Sequence, residues 1–484
     1  MKRMIGTLLA ILSAVLALPF FGGCNRGEAV RTKYEITAEY APEHQTVTGV
    51  VKTTFQNGTE NELSQLKFQL YTNAYRENAL YAPVYSTYES VAYYQGKSYG
   101  ETKVTSVNGA KSWQVAGEDG NILSVTPVKS LFPGESVVLD IGFTVTLPIV
   151  NHRFGVAESA VHLGRFFPVL CGVYEDAFVE VVPTSCGSPF VLDSADYKLN
   201  FTLPKEYRLL GSCEAQVGQT LETKTEYVLS GEGVRNFGLA LYKNREILER
   251  EVGGRTLRYA YEKDKKPEET LKVVAEAFSY FQQHFGAYPY PSYTVMETSY
   301  AGDVDGYTAF ALCSSALTEE ERHLALVKAV AEQWFGEVVG VQRARNAWQY
   351  EGLAEYLALC FFEEHATYGI RREKAVAERL KEYRLYYDVY GNVLDRTDTK
   401  MTKPLTEYVN AYEYRSLAVD KAVVMLDTLQ KSIGEKRLFA GLKRYYTGYA
   451  FCQTDTAELI GALERHGVDV QGFFDGFLDG KVIL

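Results

Sequence analysis

Histidine is scarce in this 484-residue chain. The seven present, at positions 44, 152, 162, 284, 323, 365 and 466, are well scattered, and no His-Glu-x-x-His occurs. Cysteine is equally sparse: seven residues, no CxxC pair and no regular framework. That argues against a cysteine-built zinc cluster and leaves disulfide pairing open. There is no basic run either, and 50 Lys and Arg against 61 Asp and Glu give a net charge of −11. So acidic a chain is a poor partner for nucleic acid or for anionic lipid headgroups. No G-x-S-x-G nucleophile elbow, internal repeat or low-complexity tract appears. With 46% hydrophobic and 23% charged residues, the chain is globular rather than disordered. Its length calls for two or three domains. What abounds is aromatic: 36 Tyr and 25 Phe, better read as packing surface on strands than as an aromatic binding cleft.

The one long apolar run stands at the start. "MKR" followed by "MIGTLLAILSAVLALPFF" and "GGC" has the basic start, apolar stretch and small-residue end of an export signal. An uncleaved anchor is the alternative, because the run is near spanning length. The "FGGC" ending is similar to a bacterial lipoprotein signal, with Phe21 in place of the usual Leu. The expectation is a signal peptide over 1–23, lipidation of Cys24, a linker over 24–32, and residence on the extracytoplasmic face of a bacterial cell membrane. Removal of 1–23 takes away Lys2 and Arg3 and no acid, moving the net charge to −13.

From about residue 30 to 250 the sequence reads as strands. "YEITAEYA", "QTVTGVVKTTFQN", "SVVLDIGFTVTL" and "DYKLNFTLP" alternate around turn clusters such as "NGTEN" and "FPGE", which predicts an antiparallel saddle or sandwich. Near residue 255 the period lengthens, and "PEETLKVVAEAFSYFQQHFG" carries a helical stripe. "SYTVMETS" and "GYTAFALCS" then read as strands flanking a loop "YAGDVDG". Thr318 and Glu321 form a T-x-x-E capping box that opens the helix containing "LVKAVAEQWFGEVVG". "WQYEGLAEYLALCFFEE" is a second helix, with Gly352, Ala354 and Ala358 small enough for a close neighbour, and the rest is helical. The expected class is therefore α+β multidomain: an N-terminal β domain (33–252), a middle α+β domain (253–372) and an α-helical C-terminal region (373–484).

Two stretches carry a resemblance. "EQWFG" after a helix, and "YEGLAEY" with Glu351 lying 19 residues beyond Glu332, resemble the metal-binding helices of the aminopeptidase N-like zinc metallopeptidases (peptidase family M1, gluzincins). "LKFQLYTNAY", "HLGRFFPVL" and "FFDGFL" also fit, so the likeness covers nearly all of residues 30–480. It implies a β saddle, a thermolysin-like middle domain, a helical tail and, in the family, a zinc-dependent peptidase.

Residue by residue, the family's chemistry does not carry over. The first His position holds Lys328, the general-base Glu position Ala329, and the second His position Glu332; only Glu351 keeps its type. The stretch matching the family's exopeptidase loop is "YAGDVDG", which puts Asp303 where a Glu would capture a substrate amine. "AVDKAVVML" puts Val419 at the transition-state Tyr. An ammonium has three donors and no lone pair for a metal, and three protein ligands are the usual minimum at catalytic zinc. Ala329 accepts no proton, a loss of ~10²–10⁴-fold for general-base catalysis.

Lys328 and Glu332 are one helical turn apart on one face. The expectation is that the Lys328 ammonium takes over the metal's place and pairs with Glu332 and Glu351; the alternative is a solvated i,i+4 pair. Asp303, Asp305, Glu351 and Glu355 do not form a convincing calcium or glycosidase cluster and read as caps and surface acids. The function expected is a membrane-anchored, catalytically silent relative that needs no zinc and binds a peptide or an envelope protein. An active aminopeptidase with an atypical metal site, and a purely structural module of a membrane-associated complex, are the competing expectations.

Overall fold

The computed structural model describes residues 30–394, 398–465 and 469–484. The proposed leader, Cys24 and His466 lie outside the described residues. A seven-stranded sheet dominates the first domain, in the spatial order Ala215–Thr220, Lys224–Val234, Ala195–Pro204, Lys33–Ala41, Thr46–Gln56, Ser136–Thr146 and Glu101–Asn108. Alternation explains which face is inside: Tyr34, Ile36, Ala38 and Tyr40 are buried and the residues between them are more exposed. The aromatic wealth is spent here on packing. Tyr197 stacks on Phe237 at 4.8 Å and on Tyr34 at 5.0 Å between ring centroids.

The sheet departs from the antiparallel expectation at one seam. Lys33–Ala41 pairs with Ala195–Pro204 in parallel. These strands are separated by more than a hundred residues of chain, so no hairpin dictates their direction.

The middle domain carries a five-stranded mixed sheet, ordered Glu246–Val252, Arg255–Tyr261, Ser292–Thr298, Phe310–Ser314 and Val304–Tyr307. Part of the expected loop "YAGDVDG" is therefore an edge strand, Val304–Tyr307, antiparallel to Phe310–Ser314. The helix Pro267–Phe285 and the helix Glu319–Glu332 pack on this domain, followed by Leu353–Glu364. The capping box forms: Thr318 Oγ1 accepts from the Glu321 amide at 3.4 Å, and the Glu321 carboxylate accepts from the Thr318 amide at 2.9 Å. From Arg372 onward the described chain is mostly helical.

Small residues set the helix spacing. A Cβ on Gly352 would stand 2.3 Å from the Cβ of Ala422 and 2.7 Å from the Ala418 carbonyl oxygen, so the helix Lys421–Ile433 approaches the Glu351 segment as closely as backbone allows. Cys171, Cys186, Cys213, Cys313 and Cys360 are free thiols. Among the described residues, no helix is long and apolar enough to cross a membrane.

Candidate functional site

Three short stretches of wide, π-type turns border one place in the fold: Gln333–Val338, Trp348–Gly352 and Ser416–Asp420. Such turns shift the side-chain phase of a helix and recur at functional sites. Glu332 immediately precedes the first, Glu351 sits in the second and Val419 in the third.

The "QW" pair explains how the helix end is fixed. Gln333 is fully buried, accepts from the Tyr288 hydroxyl and the Ala309 amide at 2.8 Å each, and donates to the Tyr307 carbonyl at 2.9 Å. It thus stitches the helix to the edge hairpin. Trp334 donates to the Gly286 carbonyl at 3.0 Å and packs on Phe278, Phe281 and Tyr288. Gly336 leaves room for Tyr350, whose ring atoms would lie 2.4 Å from a Cβ there.

Lys328 donates to Glu351 Oε2 at 2.6 Å, and Glu355 Oε2 lies 3.8 Å from the same ammonium. Glu332 does not complete this pairing. Among the described residues its carboxyl is instead the acceptor for the Tyr350 hydroxyl, at 2.9 Å. The expected Lys328–Glu332–Glu351 clamp is thus corrected to Lys328–Glu351–Glu355. Glu355 follows Glu351 by one helical turn and shares its face, whereas Glu332 ends its helix and faces Tyr350.

Glu355 is no surface acid: it is 4% exposed, accepts from Arg379 Nε at 2.7 Å, and has Arg379 Nη2 at 2.7 Å from the same oxygen. Arg379 and Arg415 also approach Asp420, at 3.5 and 3.9 Å. Asp305 is likewise buried and lies 3.8 Å from Arg153, while Asp303, two residues away on the edge strand's approach, is exposed. Ala329 and Val419 are both buried and offer no polar group. The sequence reading missed Arg379, Arg415 and Asp420. An aspartate within the apolar "SLAVDKAVVML" was the available signal.

The charges explain the protonation states. Lys328, Arg379 and Arg415 face Glu351, Glu355 and Asp420, which leaves Glu332 as a surplus carboxyl. Burial and then the Glu351 charge push Glu332 up to about 8, only partly opposed by Lys328. Burial works against the Lys328 ammonium, but Glu351, Glu355 and Glu332 outweigh it and raise its proton affinity above the ordinary lysine range. Asp420 is pushed up to about 7 by burial, against the pull of Arg415 and Arg379.

A pH dependence follows from Glu332. The folded chain holds a proton that the unfolded chain releases near the ordinary carboxylate value, so stability falls as pH rises between those two values. The unfolding free energy is expected to fall by up to ~1.4 kcal/mol per pH unit from this group between pH 5 and 8. Glu332→Gln should flatten the slope by that amount in urea titrations at each pH. Equal slopes in the two proteins would contradict a protonated Glu332.

Among the described residues, no group of three or more His, Cys, Asp or Glu is placed to hold a metal ion. Comparison with known proteins gives a consistent likeness. The profile described as "Peptidase family M1 domain" matches residues 269–477. Aminopeptidase N of Streptomyces lividans is 22% identical over 229 residues, 43% of this chain. The aligned part spans a quarter of that relative's length. The crystal structure of an M1 zinc metallopeptidase from Deinococcus radiodurans superposes with a TM-score of 0.64 at 15% identity, covering 94% of this chain and 95% of the other. A mutant of that protein bound to a Tyr-Ser-Ala substrate gives 0.63 at 16% identity with the same coverage. At these identities the structures speak for the fold.

Proposed function

We propose, from the premise that this chain belongs to peptidase family M1, that it is a catalytically silent member that binds peptide or an envelope protein through the cleft its relatives use for hydrolysis. The observation that carries this reading is the 2.6 Å bond from Lys328 to Glu351. A protonated amine bonded to the one retained ligand-type residue competes with a divalent ion for the same carboxylate. The donor set therefore does not fit zinc: Lys328 has no lone pair to give, and burial with the Glu351 charge raises the proton affinity of Glu332. Ala329 can take no proton from a water, and Val419 can give no bond to an oxyanion. The "QWFG" and "EGLAEY" stretches act in packing, through the Gln333, Trp334 and Gly352 contacts described above.

The test is elemental analysis of untagged protein together with release of chromophore from aminoacyl substrates. Less than ~0.1 zinc per chain after purification, no chelator-sensitive hydrolysis, and saturable calorimetric binding of a tripeptide such as Tyr-Ser-Ala are the expected results, given a coordination set this depleted. One zinc per chain with chelator-sensitive hydrolysis overturns the proposal in favour of an enzyme with an atypical site. Silence in all three assays favours a structural module. The same reading places the protein on the extracytoplasmic face of a bacterial membrane through lipidated Cys24. Labelled palmitate should enter the wild type and not Cys24→Ser, and equal labelling would refute the anchor.

A further inference from the structure

A second concentration of buried charge lies where the first domain meets the middle sheet. Arg165 is 2% exposed, directly after the strand Val161–Gly164. Its guanidinium carbon lies 3.3 Å over the Phe190 ring and 4.7 Å from the centre of Tyr307. Its Nε, Nη1 and Nη2 are all buried, and none has an acceptor among the described residues.

Neighbouring arginines show what a satisfied buried guanidinium looks like in this protein. Arg235, 3% exposed, donates to Glu337 O, Leu192 O, Gln453 Oε1, Val338 O and Cys452 O, between 2.6 and 3.4 Å. Arg343 donates to Glu337 Oε1 at 2.7 Å and to Gly336 O at 2.8 Å, with its face on Tyr350. Arg165 has rings and no oxygens. A buried cation without a counter-ion or acceptor is among the most costly arrangements a fold can hold, and an apolar residue would suit two aromatic neighbours better.

Arg153 shares the same ring: its guanidinium carbon is 5.3 Å from the Phe190 centroid. Its side chain keeps 17% exposure, so this member of the pair is not wholly shut off from solvent. Asp305 stands 3.8 Å from Arg153 Nε, too far for a hydrogen bond, and Arg153 Nε and Asp305 Oδ2 both lack partners. Asp305 acts on both guanidinium groups, and the other acid that acts on Arg165, Glu337, is already bonded to Arg343.

We propose that Arg165 and Arg153 form an anion-binding site at this domain boundary, which takes a carboxylate. The planar N–H fork of Arg165 matches the two oxygens of a carboxylate; Phe190 and Tyr307 lie against the guanidinium, and its buried N–H edge is left without an acceptor among the described residues. The carboxylate is either a free small acid or the terminus of a peptide. The site uses none of the residues around Lys328, and its existence does not depend on whether the cleft hydrolyses anything.

The test is calorimetry and thermal melting of the full chain at constant ionic strength, with sodium acetate, sodium bromide and Tyr-Ser-Ala as probes. Acetate is expected to raise the melting temperature saturably, and Arg165→Met should weaken its binding by about 10–100-fold, as for loss of charge-assisted hydrogen bonds. In anion-free buffer the same variant should melt no lower than wild type, which a purely structural arginine would not permit. Tyr-Ser-Ala binding tighter than acetate, with the margin lost both on C-terminal amidation and in Arg165→Met, identifies a peptide terminus as the source; equal affinities identify a free acid. If Arg165→Met fails to fold, Arg153→Gln is measured instead and should weaken acetate binding. Absence of saturable stabilisation by any probe, or unchanged acetate affinity in the variant that folds, overturns the proposal.

Discussion

Lys328→Met should lower the unfolding free energy by about 3–5 kcal/mol, the cost of leaving one partner of a buried ion pair without the other. The side chains of Lys328 and Glu351 are 20% and 18% exposed, so water screens the pair only slightly. Glu355 would keep its ion pair and 2.7 Å hydrogen bond with Arg379, and the loss therefore falls on Glu351. Lys328→Met with Glu351→Gln should recover most of the stability, because replacing both partners removes the stranded charge. Lys374→Met is the control: Lys374 and Glu378 are an exposed i,i+4 pair 3.8 Å apart, and surface changes of this kind stay within about 0.5 kcal/mol. Urea unfolding of the four proteins decides the matter. A Lys328→Met protein no less stable than Lys374→Met would remove the ion pair from any account of how these helices are held.

Local signals were legible in the sequence and non-local ones were not. The capping box at Thr318 and Glu321 and the stripe through Val330, Ala331 and Trp334 were readable because they involve residues within two turns of each other. The 19-residue separation of Glu332 and Glu351 correctly brought two helices together, since the resemblance supplied the long-range information that periodicity lacks. The partner assignment within that meeting was harder. Glu355 shares a face with Glu351 and could have been offered as the second acid; it was read as a surface group because nothing in the sequence shows that Arg379 comes back to meet it. Glu332 accepts from the Tyr350 hydroxyl instead, a partner brought in by a later stretch of chain that no 3.6-residue pattern predicts. The parallel pairing of Lys33–Ala41 with Ala195–Pro204 was hidden for the same reason: alternation tells which face of a strand is buried and nothing about which strand lies beside it.

Restoring the residues should restore the metal before it restores the chemistry. In a Lys328→His, Ala329→Glu, Glu332→His protein, two imidazoles would stand one turn apart on the helix Glu319–Glu332. Removing the Lys328 ammonium also frees Glu351 from its 2.6 Å bond, and removing the Glu332 carboxyl frees the Tyr350 hydroxyl. Positions 328, 332 and 351 lie near enough to act on one another's charge, and the variant would carry three residues with available lone pairs there, the number a catalytic zinc requires. Elemental analysis should find about one zinc per chain, against the less than about a tenth of that expected of the parent. Hydrolysis of aminoacyl substrates should remain slow, because Val419 is buried and gives no hydrogen bond to a developing oxyanion. Adding Val419→Tyr should raise the rate by about 10²–10³-fold, the usual worth of one such donor. The two readouts separate two kinds of loss. A folded triple variant that takes up no zinc means the helices no longer bring the three positions together, so the site changed in shape as well as in composition. Zinc uptake without any gain from Val419→Tyr means the turn Ser416–Asp420 no longer presents that position to the cleft.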